Sequence, residues 1–364
     1  MEVRATAPNR IDLAGGTLDL YPLYLFEDGG VTVNVAINVE SRVTIQTRKD
    51  REIHIYSLDT GAQRHSVDAA HLELGGDLDL VARVLKFYHH QDLGLDVYTE
   101  NAAPKGSGLG ASSALLIALS HALNVLGVDR RSEQEIIRVG ANLEAQTIRI
   151  PTGKQDYYPA TYGGVNAIWF DVDRERVERL IVSEETMEAL EQRLILSFTG
   201  EPHDSAVTNW GMLRAYIENQ GRTVANMKRI KQTALAMRQA LLDGDFQALA
   251  ALLAAEWENR RGLAPGVATP TTDRLMEAAR QAGASASKLC GAGGGGCMVS
   301  VLSESDPEEL AVARQRVEEA LTAEGARIMP FQIARSGVLL EVNGYGHGRM
   351  TAGVSRVAEP KKAS

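Results

Sequence analysis

Pro104-Lys105-Gly106-Ser107-Gly108-Leu109-Gly110-Ala111-Ser112-Ser113-Ala114 lies between a strand-like run, Leu95 to Thr99, and an apolar stretch that continues to Leu126. Three glycines at alternate positions let the backbone take unusual φ/ψ values and bring its N–H groups close to an anion. Ser112 to Leu126 are mostly good helix formers, apolar nearly all round, which predicts a buried, rigid helix. Its N-terminus would point at the bound anion. Pro104 through Ser113 therefore read as a phosphate-binding loop. It is not a P-loop, because no Lys-Ser or Lys-Thr pair follows the last glycine. Gly106, Gly108 and Ala111 fit the G-x-G-x-x-A dinucleotide pattern, but no strand ending in an acid follows the helix at the required distance.

A chain of 364 residues exceeds the usual size of one hydrophobic core, so two domains are expected. Apolar content of 44% and charged content of 23% are those of a soluble globular protein. A net charge of −9 argues against a general nucleic-acid binder, which needs a basic face to neutralise phosphates. The N-terminal residues contain no signal-peptide core and no run approaches the length of a membrane span, so a cytoplasmic protein without membrane contact is expected. The two cysteines, Cys290 and Cys297, suit neither a disulfide framework nor a zinc site.

Glu2 to Ala7 predict a first strand, and Pro8 to Leu20 a glycine turn crowded with Arg10, Asp12 and Asp19. Charges in so apolar a segment must be paired, solvated or bound to a ligand. Val31 to Val39, Arg42 to Thr47 and Glu52 to Ser57 predict the strands of a meander, and Asp79 to His90 a helix. Ser132 and Glu135 form a capping box that opens a helix to Ile148. On it, Ile137, Ala141, Glu144 and Ile148 share one face, so Glu144 points inward and needs a cation, either a metal ion or an arginine. Lys154 and Asp156 follow in a polar turn and are candidates for chemistry, ahead of the strand Val165 to Phe170.

From Ser183 onward a strand is followed by helices over residues 205–219, 222–242, 246–260 and 271–283. The run Cys290-Gly291-Ala292-Gly293-Gly294-Gly295-Gly296-Cys297 sits between two apolar strands, 285–289 and 298–302. Glycine weakens regular elements, so this run predicts a second backbone wall facing nucleotide or substrate. A helix over 307–324 and strands over 326–333 and 337–342 complete the second domain, and the end of the tail is expected to be disordered.

These three glycine-bearing motifs, Ala7 to Leu20, Pro104 to Ala114 and Lys288 to Val301, in this order resemble those of the GHMP small-molecule kinases over about 340 residues. Gly153-Lys154-Gln155-Asp156, Ala160-Thr161-Tyr162-Gly163-Gly164, and Thr199-Gly200 followed by Asp204-Ser205 are similar to segments of the D-glycero-D-manno-heptose 7-phosphate kinases and related sugar kinases. The resemblance implies an α+β, two-domain fold. A mixed-sheet N-terminal domain, ribosomal protein S5 domain 2-like, would span residues 1–182, and a ferredoxin-like domain with extra helices residues 183–345, with a tail over 346–364. It implies ATP and Mg²⁺ in the cleft between them, with Ser113 and Glu144 as metal ligands and Pro104 to Ser113 around the ATP phosphates. Asp156 would sit beside the acceptor hydroxyl, Arg10 and Lys154 would stabilise charge, and Arg10, Asp19, Gly293 and Gly294 would face the acceptor. The implied reaction is transfer of the γ-phosphoryl group to a sugar hydroxyl, the anomeric oxygen of a heptose 7-phosphate or a similar sugar. Galactokinase, fucokinase and mevalonate kinase types, and a non-catalytic sensor, are the alternatives. Monomer and homodimer both stay open. Two sites depart from the heptose-kinase pattern, Thr17-Leu18 before Asp19 and His203 after Thr199-Gly200, and both would face the acceptor.

Overall fold

The computed structural model describes residues 1–88, 93–127, 130–202, 205–343 and 350–351. Strand β1 (Glu2–Ala14) alternates buried and accessible residues at its start and is buried on both faces from Ala7 onward. The expected turn at Pro8 is therefore strand, and the turn begins only at Gly15. Strand β2 (Gly30–Thr47) merges the two segments expected there, because it pairs antiparallel with β1 almost throughout, across register shifts at Pro8/Asn9 and Asp12/Ala14. Its second half pairs with β5 (Leu95–Asn101) and its first half with β6 (Val165–Phe170), which pairs in turn with β7 (Glu175–Arg179). Strand β3 (Ile53–Ser57) runs parallel to β5 and antiparallel to β4 (Gln63–Ser66), so the nine-stranded sheet is mixed.

Helix α1 (Leu23–Phe26) is one turn after the first motif. Helices α2 (Asp79–Tyr88), α3 (Ala111–Leu126), α4 (Glu133–Ile148) and α5 (Tyr157–Tyr162) join the first sheet in one core. Every residue of α3 from Ser113 to Leu123 is buried, as its all-round apolar sequence requires. The capping box of Ser132 and Glu135 is formed, and Glu144 is buried on the inward face of α4.

After α6 (Glu184–Arg193) comes a four-stranded antiparallel sheet of β8 (Leu194–Phe198), β9 (Ala286–Leu289), β10 (Cys297–Val301) and β11 (Arg327–Ile328) in the order β11-β8-β10-β9. Numbered by chain position this is 4-1-3-2, with α11 (Pro307–Ala323) in the second crossover, the ferredoxin-like arrangement. The first crossover carries four helices, α7 (Ser205–Ile217), α8 (Thr223–Asp243), α9 (Phe246–Arg260) and α10 (Pro270–Ala282). Met227, Ile230, Ala234, Met237 and Leu241 form the buried stripe of α8.

The expected domain boundary at residue 345 needs correction. Strand β12 (Leu339–Asn343) returns to pair with β1, and β13 (Met350–Thr351) adds to it, so this end of the chain closes the first sheet. The expected disordered end, from residue 359, lies outside the described residues. One core cluster joins Ile11, Leu13 and Val33 of the first sheet to Leu194, Cys297 and Val299 of the second, so the two sheets share buried packing.

Candidate active site

Gly106, Gly108 and Gly110 all have positive φ, near 71°, 71° and 76°, and Gly110 is the N-cap of α3. The loop thus feeds its backbone directly into the helix N-terminus, the geometry for holding an anion. It opens on a cleft of about 1050 Å³ that is also lined by residues of the first motif, of the 152–156 segment and of the third motif. A Cβ at Gly108 would stand 2.5 Å from the Cys290 carbonyl oxygen, and one at Gly110 would stand 2.9 Å from the Asp156 carboxylate. Backbone packing between the second and third motifs therefore accounts for part of the glycine pattern. Cys297 N donates to Ser107 O at 2.7 Å, and a Cβ at Gly296 would meet that same oxygen.

Gly291 and Ala292 line the cleft, but the expected acceptor contacts Gly293 and Gly294 do not. They turn away toward Val267, whose carbonyl accepts from Gly294 N at 2.7 Å.

Arg10 and Asp156 meet at the mouth of the loop, with Arg10 Nη2 2.7 Å from Asp156 Oδ1. Arg10 also donates through Nη1 to Gly108 O and through its backbone N to Leu109 O. Burial raises the Asp156 carboxyl to about 7; Arg10 opposes the rise, and Asp19, Glu144 and Asp12 add to it. Asp19 is 2% exposed, lines the cleft and accepts from Gln155 N at 3.0 Å. Burial raises its carboxyl too. Gly153 is needed beside it, because a Cβ there would collide with Asp19 Oδ2.

Glu144 accepts hydrogen bonds from Ser113 Oγ at 2.8 Å, from Tyr157 Oη at 2.5 Å and from Ser112 Oγ. Among the described residues its partners are hydroxyls and not an arginine. A carboxylate and serine hydroxyls at the foot of a phosphate loop form an all-oxygen donor set suited to a hard cation. Among the described residues no cluster of three or more acidic, histidine or cysteine ligands exists, so such a cation would need phosphate or water oxygens to complete its shell.

Lys154 too departs from the expectation that it stabilises charge at the acceptor. Its ammonium pairs with Glu175 of β7, lies 3.3 Å from the Tyr24 hydroxyl, and is absent from the cleft lining. While Gln155 turns its backbone N–H to Asp19, the neighbouring Lys154 side chain is directed to the other side of the segment. Lys105 is exposed beside Asp77 at 3.2 Å. His203 and Asp204 lie outside the described residues.

Sequence reasoning did not nominate the charges behind the first motif. Lys288 Nζ reaches Asp12 O at 2.7 Å and Oδ2 at 3.0 Å, and Arg260 pairs with Glu256; all four residues are fully buried. Burial works against the charged Asp12, but Lys288 and then Arg260 outweigh it and hold the carboxyl below its usual range. The signal was present: Lys288 stands in an apolar strand, and Glu256 and Arg260 are four residues apart on a helix.

Residues 79–164 match the model of the GHMP kinases N terminal domain, and residues 237–320 that of the GHMP kinases C terminal domain. The chain is 29% identical to the D-glycero-alpha-D-manno-heptose 7-phosphate kinase of Campylobacter jejuni, over 92% of this chain and 98% of that one. It is 24% identical to the mevalonate kinase of Pyrococcus furiosus, over 94% and 99%. The crystal structure of a D-glycero-D-manno-heptose 1-phosphate kinase from Bacteroides thetaiotaomicron superposes with a TM-score of 0.76 at 27% identity, covering 94% of this chain and all of that one. The matched segments contain the glycine loop and Asp156, and the chain carries the N- and C-terminal domains of the GHMP kinases, phosphotransferases that act on a hydroxyl acceptor.

Proposed function

We propose that this kinase transfers the γ-phosphoryl group of ATP to a sugar hydroxyl, the anomeric oxygen of D-glycero-D-manno-heptose 7-phosphate or of a similar sugar. The observation that carries the reading is Asp156, raised to about 7 and paired with Arg10 against the glycine loop. A carboxyl in that range takes the proton of an acceptor hydroxyl near neutral pH more effectively than an ordinary carboxylate. Phosphoryl transfer otherwise needs positioning and neutralisation of charge. The N–H groups of residues 106–113 and the N-terminus of α3 hold the phosphates, and Asp19 accepts from further sugar hydroxyls. Arg10 keeps Asp156 turned toward the loop. Mg²⁺, held by Ser113 and Glu144, would neutralise phosphate oxygens.

What supports a sugar more than mevalonate is the segment 153–164, similar to the sugar-kinase group, and the higher identity at comparable coverage, 29% to the Campylobacter jejuni heptose 7-phosphate kinase against 24% to the Pyrococcus furiosus mevalonate kinase. The test is an ADP-release assay with ATP and Mg²⁺ over hexoses, heptoses, heptose 7-phosphate and mevalonate. Turnover with a heptose or its phosphate is expected. Turnover with mevalonate alone would reject the sugar reading, and ATP binding with no turnover on any acceptor would point to a sensor.

A further inference from the structure

The acceptor-facing wall is assembled from two segments far apart in the chain, the turn at Gly16-Thr17 and the backbone at Gly291, both of which line the cleft. One side chain behind them touches both. Arg260, fully buried at the end of α9, donates through Nη2 to Gly16 O at 2.8 Å and through Nη1 to Thr17 Oγ1 at 3.2 Å and Gly291 O at 3.3 Å. Nε and Nη2 also both bind Glu256 Oε1, at 3.1 and 2.7 Å, and Asp12 Oδ2 stands 3.9 Å away. The planar guanidinium is thus engaged at all three nitrogens, in directions that a single ammonium cannot reproduce.

The turn it holds is one that the chain would not adopt unaided. Thr17 is β-branched yet has φ of 76°, in the left-handed region, and such a conformation persists only where its surroundings impose it. Its hydroxyl is fixed between Arg260 and the Met212 sulfur, to which it donates at 3.3 Å. A Cβ at Gly16 would stand 2.7 Å from Arg260 Nη2, so the glycine there makes room for the arginine. The same turn closes through Leu18 N to Gly15 O and Leu20 N to Thr17 O, both at 3.1 Å, and so delivers Asp19.

We propose, on the reading of the cleft as a kinase site, that Arg260 is the positioning residue of the acceptor wall. Acting from helix α9 through Gly16, Thr17 and Gly291, it sets where Asp19 meets the acceptor and leaves the nucleotide loop to other supports. Those supports are Arg10 on Gly108 O and Cys297 N on Ser107 O, neither of which involves Arg260.

The test uses the full chain with Arg260→Lys, which keeps the charge, and Glu256→Gln, which removes the counter-charge without altering the cleft lining. Amide hydrogen exchange is read at Leu18 and Leu20, and KM is measured separately for ATP and for whichever panel sugar the unaltered enzyme turns over. In Arg260→Lys, exchange at both amides is expected to accelerate and the acceptor KM to rise about tenfold or more, with the ATP KM within about threefold. Glu256→Gln is expected to give a smaller shift of the same kind, and it carries the test if Arg260→Lys does not fold. Unchanged exchange at Leu18 and Leu20 in a folded variant overturns the proposal, as does an equal rise in both KM values. If the unaltered enzyme phosphorylates no sugar, the kinase-on-sugar reading has failed, while the exchange data still decide what Arg260 holds.

Discussion

Asp156→Asn separates the chemical role of this carboxyl from its structural cost. A carboxyl raised from 3.8 to about 7 binds a proton in the folded chain that the unfolded chain has already released. Between pH 4 and 7 the native state therefore holds more protons, so stability falls as pH rises through that window and the full penalty is present above it. Three pKa units correspond to about 4 kcal/mol, and partial water access at 19% side-chain exposure reduces this to roughly 1–3 kcal/mol. Asparagine carries no such penalty, and its carbonyl can still accept from Arg10. The variant is expected to melt a few degrees above the unaltered protein at pH 8, with the gain gone at pH 4, while turnover drops about 10²-fold or more. Calorimetry at the two pH values and the ADP-release assay measure both. Turnover within tenfold of the unaltered enzyme would refute the role of Asp156 as proton acceptor, and a variant less stable at pH 8 would refute the origin assigned to its raised pKa.

Gly110→Ala places a Cβ 2.9 Å from the Asp156 carboxylate at φ of 76°, so it should lose about 1–2 kcal/mol of stability on thermal melting and most of its turnover. Glu144→Gln removes the carboxylate charge and turns one of its two acceptor oxygens into an NH2 donor, and the Mg²⁺ concentration for half-maximal rate should rise about tenfold or more; an unchanged Mg²⁺ titration would remove Glu144 from the proposed metal site. Lys154→Met should leave kcat within about threefold, because the ammonium faces Glu175 and Tyr24 and not the cleft. A loss of a hundredfold would instead mean that Lys154 swings into the cleft during turnover.

The glycine loop and the inward carboxylate were legible because each is a local pattern with a local cause. Three alternate glycines before an apolar helix, and Glu144 at helical spacing among apolar residues, carry their meaning within one element. The continuity of β2 was not legible, because the pairing with β1 that runs through Glu40-Ser41 is long-range. The return of β12 to the first sheet is long-range for the same reason. Lys154 and Gly293-Gly294 misled because neighbours in a loop can face opposite ways, and only the packing of β7 and Val267 shows which way. Arg260 was hidden most deeply, since on the sequence it is one more arginine on a helix, and its partners Gly16, Thr17 and Gly291 are set by the meeting of two domains.

The most direct test of the account is phosphorus NMR of the product formed from ATP, Mg²⁺ and the sugar that gives the highest kcat/KM. A new phosphate ester on the anomeric oxygen, formed about a hundredfold or more slowly when Asp156→Asn replaces the enzyme, is the result expected. An ester on any other oxygen, or the same product formed at an undiminished rate by the variant, would contradict the assignment of this site.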